Sequence, residues 1–254
     1  MQQLPVSDRS FQYGDGIFST ICVKNGQLQF WPLHWQRLQQ SMLRLGFAPL
    51  TEADVKASAQ AQISQQEQVV KVLISRGHGG RGYSPHGFVK PDLYCSSSAL
   101  PDYAKAQQYG LSVGMAKLQL GIQPLLAGIK HTSRLETVLH KAEVEQSHFD
   151  ELLVCDSQGY VTEFSSANVF FYLDGQWCTP ELTQAGVAGI MRAFLLTKLS
   201  VMVGRYQPED LKSATAMFAT NALMGVVPVC SYLQQPLNLE LVRPVQHLLL
   251  ASLE

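Results

Sequence analysis

Short strand-like segments joined by tight turns restrict the second half of this chain to a mixed or antiparallel sheet. Segments 152–155, 160–163 and 169–173 favour strands, and the turns at 156–159 and 174–175 leave no room for crossover helices. A doubly wound parallel sheet would need such helices between its strands. We also predict strands at 111–116 and 216–220, and helices at 133–147, 190–203, 208–213 and 239–250.

The first hundred residues predict a smaller α+β domain that opens on a hairpin. Asn25-Gly26 is a typical hairpin turn, and Thr51 with Asp54 resembles a helix capping box. The predicted elements are strands at 17–23, 27–31, 69–76 and 88–96, and helices at 33–45 and from Thr51 onward. The polar stretch 101–110 is the predicted linker, which places the two domains at 1–100 and 111–254.

Composition and spacing exclude several classes of function. The net charge of −1 provides no basic stripe for nucleic acid and no polybasic run for a membrane surface. The sequence has no apolar run of eighteen residues and no H-E-x-x-H metal motif, and we expect no signal peptide. The five cysteines form no C-x-x-C pair, as expected of reduced thiols. We therefore predict a cytoplasmic protein without a metal site.

The stretch from Gly77 to Gly82 matches the dinucleotide-binding pattern G-x-G-x-x-G letter for letter. That fingerprint requires a helix to begin on the glycines, whereas Pro85 and Gly87 favour a continued loop. We therefore interpret 78–87 as a loop between two strands. It is either a plain hairpin loop or one that brings Arg81 and Tyr83 to a ligand.

Lys130 is the first candidate for chemistry. It lies among apolar residues directly before a predicted helix, where Ser133 and Glu136 suggest a capping box. Burial favours the neutral amine, which can condense with an aldehyde. Taken alone, however, a lysine near a helix start is more often solvated.

Three further segments are candidates of the same weak kind. Glu163 ends a strand and is followed by small residues; the alternative is a solvated turn acid. The Gly189-Ile190 turn leads into a helix and could present N–H groups to an anion, or it could be an ordinary helix start. His34 and Arg37 share one helical face, which could equally be a surface basic pair.

The order and wording of these segments resemble the fold-type IV family of pyridoxal-phosphate enzymes, which includes aminotransferases and aminodeoxychorismate lyases. The resemblance implies a two-domain α+β fold with a smaller N-terminal α/β sandwich and a larger C-terminal domain that is mixed-sheet or barrel-like. It also implies a homodimer. The residues that carry it are 6–9, 13–16, 75–84, 126–136, 161–170, 186–192, 221–224 and 228–229.

Carried over residue by residue, the resemblance makes Lys130 the Schiff-base lysine of pyridoxal 5'-phosphate and Glu163 the partner of the pyridine nitrogen. Arg37 corresponds to the phosphate-binding arginine. Backbone amides complete the phosphate cup at Gly189, Ile190, Ala222 and Leu223.

The resemblance also implies substrate contacts. Arg81 and Tyr83 correspond to a loop that takes a substrate carboxylate, and Tyr13 and Phe18 to walls of the active site. Thr20 corresponds to a hydroxyl residue near the cofactor. It is either a proton relay or a threonine chosen for its strand propensity.

Within the family, four segments resemble the lyase branch: G-G-R-G-Y-S at 79–84, L-A-G-I-K-H at 126–131, G-I-M-R at 189–192 and N-A-L-M at 221–224. The implied reaction converts 4-amino-4-deoxychorismate to 4-aminobenzoate and pyruvate, a step toward folate. One alternative is a D-amino-acid or branched-chain aminotransferase that uses the same lysine. The other is a catalytically silent relative that binds a metabolite or a partner protein, in which loss of Lys130 or Glu163 would be expected.

Overall fold

The computed structural model describes residues 4–80 and 82–252, which group into two compact units. The first unit runs to Pro101 and also takes in Ile129–Arg134; the second comprises Asp102–Gly128 and the chain from Leu135 onward. The predicted division did not include this return of 129–134 to the first unit. Lys130 therefore belongs to the first unit and not to the C-terminal domain in which it was expected.

The first unit is built on a four-stranded antiparallel sheet. Its strands are β1 (Gly16–Lys24), β2 (Gln27–Leu28), β3 (Gln68–Ser75) and β4 (Asp92–Ser98), and their order is β2-β1-β3-β4. Its helices are α1 (Arg9–Tyr13), α2 (Trp31–Arg44) and α3 (Glu52–Gln60). The sheet and the helices together confirm the predicted α+β character of this part of the chain.

Side-chain alternation along β1 separates two faces of this sheet. Ile17, Ile21 and Val23 are buried in a core with Trp35 and other residues of α2 and β3. The intervening side chains, Phe18 and Thr20, point to the opposite face and are only half-buried. Alternate side chains of β1 therefore pack in the core with α2 or lie on the second face of the sheet.

Three predicted elements of the first unit begin or end elsewhere. Helix α2 begins at Trp31, with Pro32 in its first turn, so the returning hairpin strand is limited to Gln27–Leu28. Strand β4 begins at Asp92 rather than at residue 88, because Pro91 lacks the N–H group that a ladder requires. The Thr51 cap is confirmed, since its Oγ1 accepts a hydrogen bond from the Asp54 N–H at 3.2 Å.

The second unit contains a nine-stranded sheet. Its strands are β5 (Leu111–Met115), β6 (Glu151–Cys155), β7 (Val161–Phe164), β8 (Asn168–Leu173), β9 (Gln176–Pro180), β10 (Val201–Gly204), β11 (Ala216–Asn221), β12 (Gly225–Tyr232) and β13 (Gln235–Pro236). Their order is β10-β9-β8-β11-β12-β5-β6-β7, and β13 pairs with β12. The pairs β9/β10, β5/β12 and β5/β6 are parallel and the others antiparallel, which confirms the predicted mixed sheet. Its helices are α4 (Ala104–Tyr109), α5 (Leu135–Gln146), α6 (Ile190–Lys198) and α7 (Arg243–Leu250), with 3-10 turns at Asp210–Ser213 and Leu239–Leu241.

Two predictions for this unit were wrong in extent. The helix predicted at 190–203 ends at Lys198, and the β-branched Val201 and Val203 instead form β10, parallel to β9. The predicted linker 101–110 contains helix α4, whose Gln107 side chain donates to the Met224 carbonyl at 2.9 Å. The stretch is polar because α4 lies at the surface of the unit, with no residue of the helix fully buried.

The predicted capping box at Ser133 is not formed. Helix α5 begins at Leu135, and the Glu136 carboxylate accepts a hydrogen bond from the Gly121 N–H at 2.9 Å instead. Ser133 belongs to the segment that clusters with the first unit. A local capping pattern was therefore overridden by contacts distant in sequence.

Within residues 4–80 and 82–252, none of the helices combines the length and apolar character that crossing a membrane requires.

Candidate active site

Lys130 is held against the start of β1. Its carbonyl accepts the Phe18 N–H at 2.9 Å, and the Thr132 N–H donates to the Gly16 carbonyl at 2.8 Å. The Lys130 Nζ lies 4.7 Å from the centre of the Phe18 ring. The structure therefore brings together two predicted site residues, the lysine and an aromatic wall, and Lys130 is half-buried rather than freely solvated.

Thr20 lies on the same face of β1 as Phe18, directly opposite Lys71 of β3. The Lys71 Nζ is 4.8 Å from the centre of the Phe18 ring. Sequence analysis did not identify Lys71. The available signal was a single charged residue inside the otherwise uncharged strand 68–75.

Arg37 extends from α2 toward the core side of β1. Its Nη2 donates to Ser19 Oγ at 2.7 Å, and Ser19 Oγ lies 2.6 Å from His34 Nδ1. Burial, together with the neighbouring Arg134 guanidinium, lowers the pKa of Arg37 to about 10. His34 is 1% exposed, so the surface basic pair considered for His34 and Arg37 is wrong.

Arg134 braces the loop that carries Lys130. Its Nε donates to the His131 carbonyl at 2.9 Å, and its Nη2 donates to the Ile129 carbonyl at 2.6 Å. The same guanidinium is close enough to Arg37 to disfavour that residue's charged form. Two cations thus lie near one another on the first unit, an arrangement that an anion would stabilise.

The glycine-rich loop is attached to Arg9. This residue donates to the Gly82 carbonyl and to the Tyr83 carbonyl, each at 3.0 Å. The rings of Tyr13 and Tyr83 pack edge to face with centroids 5.1 Å apart, although Tyr83 is 82% exposed. Arg81, the third predicted substrate residue here, lies outside the described residues. Residues 82–91 form no helix, which confirms the predicted loop and agrees with the rejection of a dinucleotide-binding motif.

Glu163 is fixed at the end region of β7 in the second unit. Its Oε2 accepts the Val187 N–H at 3.0 Å. Gly186, at φ +83°, makes this approach possible, since a Cβ there would lie 2.6 Å from the Thr162 Cγ2 and 3.4 Å from the Glu163 Cδ. Glu163 is half-buried and bonded to backbone, which is not the environment of a solvated turn acid.

Asn168 connects the loop that holds Glu163 to the start of helix α6. Its Nδ2 donates to the Val187 carbonyl at 2.9 Å, and its Oδ1 accepts the Gly189 N–H at 3.1 Å. Gly189 is the N-cap of α6, which begins at Ile190 and has no side-chain cap bond. The Gly189 amide, predicted to complete a phosphate cup, thus already has a partner within the chain, and Ile190 is the remaining predicted amide at this helix start.

The segment 221–224 differs from its prediction. Asn221 Oδ1 accepts both the Leu223 N–H and the Met224 N–H at 2.9 Å, while its Nδ2 donates to the Ser166 carbonyl at 3.2 Å. The Leu223 amide, predicted to complete a phosphate cup, thus already has a partner within the chain. Ala222 lies between these bonded residues.

The residues fit the phosphorylated aldehyde cofactor that the family resemblance implies. Arg37 is a buried cation with Arg134 beside it, and so suits a phosphate dianion. Glu163 is a fixed carboxylate that suits a protonated ring nitrogen, and Lys130 supplies a half-buried amine.

Comparisons with known proteins show similarity to the family that the sequence resembles. The family model for class IV amino-transferases matches residues 16–232. The chain is 40% identical to the aminodeoxychorismate lyase of Vibrio harveyi over 233 residues, which cover 89% of this chain and 86% of that protein. It is 26% identical to a putative branched-chain-amino-acid aminotransferase of Methanocaldococcus jannaschii, over 89% of this chain and 82% of that one. The crystal structure of 4-amino-4-deoxychorismate lyase from Pseudomonas aeruginosa matches with a TM-score of 0.91 and 32% identity, covering 98% of this chain and 95% of that one.

The packing at Gly189 generates a prediction. A Cβ atom at this position would overlap Asn168 Oδ1, so Gly189→Ala should force the asparagine or the start of α6 to move. We expect a loss of about 1–3 kcal/mol in the free energy of unfolding, measured by urea denaturation. Gly204→Ala is the matched control, because its Cβ would meet only the end of the Tyr206 ring. An equal effect of the two substitutions would contradict the role given to Asn168.

Proposed function

The chain belongs to the class IV aminotransferase family, and on this premise we propose that it uses pyridoxal 5'-phosphate to convert 4-amino-4-deoxychorismate to 4-aminobenzoate and pyruvate. The observation that carries the choice of a lyase is the higher identity to the lyase relative than to the aminotransferase relative. The fixed positions of Lys130 and Glu163 support the chemistry. This reaction belongs to the synthesis of folate.

Three side chains hold the cofactor in this proposal. Lys130 would bind it covalently, Arg37 would bind its phosphate, and Glu163 would keep its ring nitrogen protonated. The N–H groups of Ile190 and Ala222 would add to the phosphate contacts. When bound, the cofactor supplies an electron sink for the substrate carbon that bears the amine.

Lys130 also moves the proton. The Lys130 amine would remove the hydrogen from the amine-bearing ring carbon of the substrate. The ether bond to the enolpyruvyl group then breaks, and that group takes up a proton and leaves as pyruvate. The ring left behind is aromatic, which supplies a driving force. Thr20, on the same face as Phe18, is the hydroxyl that relays the proton to the leaving group.

We assign substrate binding to the aromatic pair Tyr13 and Tyr83, to Phe18 beside Lys130, and to Arg81. The edge-to-face packing of the tyrosines and the attachment of the loop to Arg9 support the first assignment. The assignment of Arg81 rests on the family resemblance. An arginine suits the carboxylates of this substrate because its fork of N–H groups can bind two oxygens at once.

The cellular setting in this proposal is a cytoplasmic homodimer. All five cysteines are free thiols in the structure, as a reducing compartment requires. Helix α5 exposes an apolar surface that a second copy of the chain would cover. Its members are Leu135 at 79% exposure, Val138 at 60% and Leu139 at 56%.

Replacement of Lys130 tests the proposed chemistry. Lys130→Ala should abolish formation of 4-aminobenzoate and also the fixation of cofactor to the protein by borohydride, because both require this amine. Lys56→Ala, at an exposed position on α3, is the control and should retain both. The measurements are product formation and the mass of the reduced protein. Lyase activity retained by Lys130→Ala would overturn the assignment.

The exposed face of α5 tests the proposed assembly. The protein should sediment as a dimer in analytical ultracentrifugation, and Val138→Glu should shift it toward monomer by placing a charge on an apolar interface. Leu43→Glu is the control, since Leu43 is 81% exposed on α2 and is not part of this surface. A monomeric parent protein at working concentration would contradict the dimer.

A further inference from the structure

A buried polar cluster lies behind Arg37 on the core side of β1. Ser19 is 0% exposed and His34 is 1% exposed. On the same face of β1 the neighbouring positions are the apolar Ile17 and Ile21, both in the core cluster. A buried hydroxyl and imidazole at such positions cost stability unless their hydrogen bonds are made. Apolar side chains would fill this space more simply, so the pair calls for an explanation.

The hydrogen atoms in this cluster can be assigned by elimination. A guanidinium only donates, so Arg37 Nη2 donates to Ser19 Oγ at 2.7 Å. The single hydroxyl hydrogen of Ser19 then goes to His34 Nδ1, 2.6 Å away. His34 is consequently the neutral tautomer with its hydrogen on Nε2. Burial and the Arg37 charge lower the pKa of His34 well below its ordinary value, which agrees with this assignment.

We infer that Ser19 and His34 are positioning residues that orient the Arg37 guanidinium toward the cofactor phosphate. The inference rests on the proposed function, because it takes pyridoxal phosphate as the ligand of Arg37. Ser19 accepts one N–H of the planar guanidinium and thereby restricts the orientation of the whole fork. His34 in turn fixes the hydroxyl of Ser19, as outer partners orient the inner ligands of metal sites. An arginine oriented in advance loses less freedom when the phosphate binds.

The test measures the affinity of each variant for pyridoxal phosphate. Binding is monitored by the visible absorbance of the protein-bound cofactor, a readout that does not depend on turnover. Ser19→Ala removes the acceptor of a charged hydrogen bond, and we expect roughly 10-fold weaker binding. Affinity for pyridoxal, which lacks the phosphate, should not change. A general defect in folding would weaken the binding of both compounds.

Three further variants separate positioning from packing. Ser19→Thr retains a hydroxyl and should restore most of the affinity. Ser41→Ala removes a buried hydroxyl from the same helix as Arg37, where it donates to the Arg37 carbonyl and not to the guanidinium, and should leave the affinity unchanged. In an Arg37→Met background, Ser19→Ala should have no additional effect.

Equal losses for pyridoxal phosphate and pyridoxal, or an undiminished effect of Ser19→Ala without Arg37, would overturn the positioning role. If the parent protein binds pyridoxal phosphate tightly and Ser19→Ala binds it equally well, only this inference fails. If the parent protein does not bind the cofactor at all, the proposed function fails, and this inference fails with it.

Discussion

The backbone pairing between residues 129–134 and the start of β1 is the interaction on which the placement of Lys130 depends. Phe18 donates to the Lys130 carbonyl, and Ile17 forms a bridge with His131. These bonds fix the backbone on both sides of the lysine, so that its side chain extends over Phe18. Arg134 closes the same loop by bonding two of its carbonyls. A lysine held in this way has a defined position, which would favour the proton removal proposed for it.

In the second unit, amide side chains make the hydrogen bonds that charged side chains make in the first. Asn168 forms hydrogen bonds with Val187 and Gly189, and Asn221 forms them with Ser166 and Leu223. These bonds fix the segments near 166, 187–189 and 223–224 within the unit. The carboxylate of Glu163 is bonded to the same network through Val187. Amide side chains suit this task because each can donate and accept at once without adding charge.

Local patterns in the sequence predicted the features that depend on neighbouring residues. The β1–β2 hairpin, the Thr51 cap and the mixed sheet follow from turn residues, capping chemistry and strand spacing. Contacts distant in sequence decided other features. Glu136 accepts a hydrogen bond from Gly121 instead of capping its own helix, and residues 201–204 form a strand beside β9 instead of extending helix α6. In the site, the roles of Lys130 and Glu163 came from family resemblance. Ser19 was missed because a serine inside a strand gives no signal until its face is known to be buried.

The central claim is the identity of the reaction, and the most direct measurement follows both products at once. Purified, cofactor-loaded protein would be supplied with enzymatically generated aminodeoxychorismate, against a control that lacks the protein. The proposed reaction releases one 4-aminobenzoate for each pyruvate, so the two should appear in equal amounts and at equal rates. If neither product forms while the protein transfers amino groups from D-amino acids or branched-chain amino acids to keto acids, the lyase assignment is contradicted and the aminotransferase assignment replaces it.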